Sequence, residues 1–147
     1  MIAGLDGFSR SFAEALLREF PELEQHARVE DGVLIIRFTP GAARKECVFH
    51  LDTGDGEITV GLGMYHEHFE WPSRAPGERW EDPIAFLRAL VGEQVLVAVR
   101  SREGKWSGAT TIGASVPAES LELAPGESVR ILSWTGARDA VRAKSRG

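Results

Sequence analysis

From Val33 to Trp134 the chain repeats short β-branched and aromatic runs, nearly all closed by turn residues, and only one connection between them has the pattern of a helix. Strands joined by tight turns run antiparallel, because a parallel neighbour needs a crossover of a dozen or more residues. Val33-Leu34-Ile35-Ile36-Arg37-Phe38 is the first such run and ends at Pro40-Gly41. Glu46 to Leu51 follows, with Cys47, Phe49 and Leu51 on one face and Val48 and His50 on the other. The turn-rich Asp52-Thr53-Gly54-Asp55-Gly56 joins it to Glu57–Leu62, which predicts a hairpin. That strand continues, through a break at Gly61 or Gly63, into Met64 to Trp71. After the long connection come Gln94–Arg100, Lys105–Ile112 and Ser128–Trp134.

Two segments have helical spacing instead. Ser9 is the expected N-cap of a first helix whose apolar positions are Phe12, Ala15, Leu16 and Phe20, with Pro21 ending or kinking it. Asp82 and Pro83 open a second helix, with Ile84, Phe86, Leu87, Leu90 and Val91 on its apolar face and Gly92 as its C′ residue. The predicted fold class is α+β: an antiparallel or mixed sheet of about six strands with two helices packed on one face, in a single domain spanning 1–147.

Charge narrows the partners. The last twelve residues, 136–147, hold Arg138, Arg142, Lys144 and Arg146 against Asp139. They are expected to be a flexible basic tail. With a net charge of −5 overall, the preceding 135 residues then carry −8. A nucleic-acid footprint needs a concentrated basic face, so no nucleic acid is expected, and a charged partner should be basic. Cys47 is the only cysteine, and no apolar run reaches the roughly 20 residues of a membrane span. The expectation is a soluble, cytoplasmic protein with no membrane partner and no cofactor.

One segment gathers chemistry-bearing side chains: Met64-Tyr65-His66-Glu67-His68-Phe69-Glu70-Trp71. Extended backbone puts His66, His68 and Glu70 on one face and Tyr65, Glu67, Phe69 and Trp71 on the other. Two imidazoles and a carboxylate on one face have the composition of a facial metal triad, with His50 as a possible fourth member. The rival use is binding: Tyr65, Glu67, Glu70, Trp71 and Trp80 form an acidic, aromatic anchor surface for a basic protein. Pairing of two copies along the His66–Trp71 strand is compatible with either use. Other chemistries find no motif. There is no Gly-x-Ser-x-Gly elbow and no phosphate-cradling Gly-x-x-x-x-Gly-Lys-Ser/Thr, and His50, three residues from Cys47, falls on the opposite strand face.

Tyr65-His66-Glu67-His68-Phe69, the helix Pro83 to Val91, the run Val95 to Val99 and Gly104-Lys105-Trp106-Ser107-Gly108 together resemble small uncharacterised bacterial proteins, some encoded beside polymorphic toxins and treated as immunity proteins. The resemblance covers residues 56–112. It implies an acidic, non-catalytic protein that blocks the active site of a basic toxin. The leading expectation is therefore a binding protein and not an enzyme, with a metal-binding protein or metal-dependent enzyme built on His66, His68 and Glu70 as the alternative.

Overall fold

The computed structural model describes residues 2–41, 44 and 47–146. Helix α1 spans Gly7–Glu19 and a 3-10 turn, Pro21–His26, follows where proline denies the helix a backbone donor. Five strands then form an antiparallel meander in chain order: β1 (Ala27–Glu30), β2 (Val33–Phe38), β3 (Phe49–Asp52), β4 (Ile58–Leu62) and β5 (Tyr65–Phe69). Helix α2 (Pro83–Val91) leads to a second antiparallel sheet of β6 (Val95–Arg102), β7 (Lys105–Gly113), β8 (Glu127–Leu132) and β9 (Ala140–Ala143), ordered β7-β6-β8-β9. The α+β class and the antiparallel pairing are as expected. The single six-stranded sheet is not: the described strands divide five and four, and α2 carries the chain from one sheet to the other instead of crossing over within one.

The differences have local causes. β4 does not run on into β5; the backbone turns back at Gly63, whose φ of 61° suits glycine, and Leu62 pairs with Tyr65. β1 and β9 are four residues each, too short to stand out as alternating runs. The expected beginning of the second strand at Glu46 lies outside the described residues. The segment expected to be a frayed basic tail instead contains β9, paired with β8 from Ser128↔Ala143 to Ile131↔Ala140. Helix α1 is capped by Asp6, whose Oδ1 accepts the Ser9 amide at 2.7 Å, and not by Ser9. The buried Ser9 hydroxyl is instead 2.5 Å from Thr53 Oγ1, which also accepts the Leu34 amide at 2.9 Å and so ties the helix to the first sheet. Asp82 does cap α2. Gly92 keeps φ at −79°, and Glu93 makes the left-handed turn at 54°.

One cluster of buried apolar side chains joins these parts. Leu34, Ile36, Phe49, Leu51, Val60 and Leu62 line the inner face of the first sheet. Phe12 and Leu16 of α1, Phe86, Leu87 and Leu90 of α2, and Val95, Val97 and Leu132 of the second sheet belong to the same cluster. The opposite face of the second sheet is covered by the segment 114–124. Arg142 donates to the Ala118 and Leu121 carbonyls at 2.5 and 2.7 Å, and Arg138 to Ala114 at 2.6 Å. Among the described residues no helix is long and apolar enough to cross a membrane.

Candidate functional site

β5 is an edge strand of the first sheet, and its alternation is as the sequence implies for four of its five residues. Tyr65 and Phe69 are buried, while His66 and His68 lie on the outer face opposite Gly61 and Thr59. Glu67 pairs in register with the inward Val60, yet its side chain stays exposed. A Cβ on Gly61 would come within 2.8 Å of the Tyr65 carbonyl oxygen, so glycine is what lets β5 close against β4.

The five residues expected to bind a partner separate into two groups. Tyr65 is buried, donates its hydroxyl to Glu67 Oε2 at 2.8 Å, and packs near Phe86. Burial, then the Glu67 carboxylate, hold its phenol well above the usual tyrosine range. Trp71 is half-buried edge-on to Phe12, with ring centroids 5.2 Å apart, and its indole N–H donates to Ser11 Oγ at 3.2 Å. These two are supports. Glu67, Glu70 and Trp80 are exposed, Trp80 by 52% with its ring centroid 6.1 Å from that of Phe86. Glu70 is ion-paired with Arg74 at 2.8 Å.

The loop presenting Trp80 is tied down by side chains. Asp82 accepts the Ile84 amide through Oδ1 and the Gly77 amide through Oδ2, both at 3.0 Å. Ser73 Oγ donates to the Glu81 carbonyl at 3.0 Å and accepts the Ala75 amide at 3.3 Å. A tryptophan seated on Phe86 and held in such a loop can bury its ring against a partner with little ordering cost.

The histidines take other partners. The His66 and His68 rings meet edge-on with centroids 5.3 Å apart. His68 Nδ1 lies 2.9 Å from Glu57 Oε1 and 3.0 Å from Thr59 Oγ1, Glu70 turns to Arg74, and His50 Nε2 lies 2.7 Å from Asp52 Oδ2. Among the described residues no group of three or more His, Cys, Asp or Glu side chains is placed to hold a metal ion. Cys47 is fully buried, and that burial raises its thiol pKa, which disfavours a nucleophilic thiolate.

Sequence reasoning missed a second exposed apolar surface. Met64, Trp106 and Val141 are 56%, 56% and 70% exposed. Met64 sits in the β4–β5 turn and the other two on the second sheet. The signal for Val141 was present in the alternation Ala140-Val141-Arg142-Ala143, but the surrounding basic residues made it look like a solvated terminus. No known family model matches the chain, and neither a characterised protein nor a solved structure shows significant similarity to it.

Proposed function

We propose that the chain is a non-catalytic binding protein of the immunity-protein kind, which engages a basic protein partner through the exposed Trp80, Glu67 and Glu70. The observation that carries this reading is the half-exposed Trp80, seated on Phe86 at the end of a hydrogen-bonded loop. Indole rings anchored in this way are frequent hot spots of protein interfaces. Electrostatics supports the sign of the partner. Residues 1–94, which include this surface, carry seventeen Asp and Glu against nine Lys and Arg. Such a field speeds the approach of a basic partner and is screened by salt.

The test is affinity capture with the whole chain as bait, followed by titration calorimetry on whatever basic protein is recovered. Trp80→Ala should weaken that complex by about 2 kcal/mol or more, as central interface tryptophans do. Glu67→Lys with Glu70→Lys should lower the association rate and flatten its salt dependence. A partner that binds all these variants as it binds the native chain would refute the reading.

A further inference from the structure

The outer face of the first sheet carries a row of side chains with a gap in it. Arg37 pairs with His50, His50 with Gly61 and Gly61 with His66, so the four stand side by side across β2, β3, β4 and β5. The glycine that lets β5 close against β4 has no side chain to fill the third place. The result is an open hollow of about 310 Å³, floored by Gly61 and Gly63, walled by His50 and His66 and lined also by Arg37 and Thr59. Gly61 is buried although Arg37 and His66 in the same row are exposed, which places it at the bottom. Neighbouring strands lie about 4.8 Å apart, so the two histidines are about 10 Å apart across Gly61, a width that admits one flat ring. Glycine inside a strand marks a place where another group can approach the backbone closely.

The chemistry of the lining selects the occupant. Its one fixed charge is the guanidinium of Arg37, and no carboxylate lines it. Arg37 is exposed and has no carboxylate partner among the described residues. The carboxylates that reach these histidines are engaged outside the hollow: Asp52 lies 2.7 Å from His50 Nε2, which fixes that wall, and Glu57 lies 2.9 Å from His68 Nδ1. One guanidinium matches one carboxylate, which it can grip through two parallel hydrogen bonds, whereas a phosphate dianion calls for more positive charge. Rings on either side favour an aromatic body, and the volume is at the small end for ligand pockets. We propose that the hollow binds a small organic monoanion, a flat ring bearing a carboxylate, with the ring over Gly61 between His50 and His66 and the carboxylate on Arg37. Trp80 does not line this space, so the ligand site and the protein-binding surface are separate.

The test is an amide- and imidazole-shift titration of the isotope-labelled full chain with three probes: benzoate, its uncharged isostere benzamide, and cyclohexanecarboxylate, which keeps the charge and loses the flat ring. Benzoate should give saturable shifts at the amides of Thr59, Gly61 and Gly63 and at the rings of His50 and His66. Benzamide and cyclohexanecarboxylate should each bind about tenfold more weakly. Arg37→Gln replaces an exposed side chain and should keep the native spectrum, weaken benzoate about tenfold and leave benzamide unchanged. His66→Ala should weaken benzoate and benzamide alike, because it removes a wall and no fixed charge. Trp80→Ala should bind benzoate as the native chain does, which separates failure of this site from failure of the protein-binding reading. No saturable shift with benzoate, equal binding of benzoate and either other probe, or an Arg37→Gln variant that binds benzoate like the native chain would each overturn the proposal.

Discussion

Asp6 caps α1 from outside the helix, accepting the Ser9 amide, and that bond together with nearby Arg10 holds its carboxyl below the ordinary aspartate range. A carboxyl depressed in the folded state contributes stability above its unfolded pKa, and that contribution disappears as pH falls through the folded one. Asp6→Ala should therefore lower the melting temperature at neutral pH, and the gap from the native chain should close in acid. Asp6→Asn, which still caps but does not titrate, should retain most of the neutral stability and change less with pH. Thermal melts of the three proteins from neutral pH to below the carboxylate range check this; parallel curves would rule out a titrating cap. Both Asp6 and Ser9 are good capping residues, so sequence alone pointed to the wrong one. What decides between them is Thr53, which takes the Ser9 hydroxyl from 44 positions away. Asp82 was legible because Pro83 follows it at once, and the other amide it accepts, that of Gly77, is only five positions away.

At the scale of elements, strands built from alternating or wholly apolar runs were legible, as were the turns between them. Those that depend on distant partners were not. β9 forms because the 133–139 turn is organised by Asp139, which accepts the Ser133 amide at 2.7 Å and the Arg44 guanidinium at 2.6 Å. Arg44 in turn donates to the Ser133, Trp134 and Pro40 carbonyls at 3.0, 2.9 and 3.1 Å, linking the connection before β3 to the second sheet. This link between residues nearly a hundred positions apart has no local signature, so the basic terminus looked solvated. Asp139→Ala leaves a largely buried guanidinium without its carboxylate and should cost about 2 kcal/mol in denaturant unfolding. Amide exchange in Ala140–Ala143 should accelerate with it, while the pairing of β3 with β4 keeps its protection. If β9 exchange does not change, some other contact organises the strand.

For the whole molecule, the arrangement of two sheets about one core was not readable in advance, because strand patterns fix which face is apolar and not which sheet a strand joins. The same uncertainty hid one of the candidate surfaces: Trp80 was nominated from composition, but the apolar surface of Met64, Trp106 and Val141 draws on both sheets. Phe86 tests whether the halves act as one. Its side chain is 1% exposed and touches the rings of Tyr65, Phe69 and Trp80, while α2 contacts both β4 and β6. Phe86→Ala should cost about 3–5 kcal/mol, as large cavities in aromatic cores do. Because the cluster is continuous, that loss should appear equally in the exchange of β3 and β6 amides and leave a single denaturant transition. Trp80 would lose its seat in the same variant, so its fluorescence should shift towards that of a solvated indole before unfolding begins. A variant in which β6, β7 and β8 keep native protection while β3 and β4 lose theirs would mean that the second sheet is an independent folding unit.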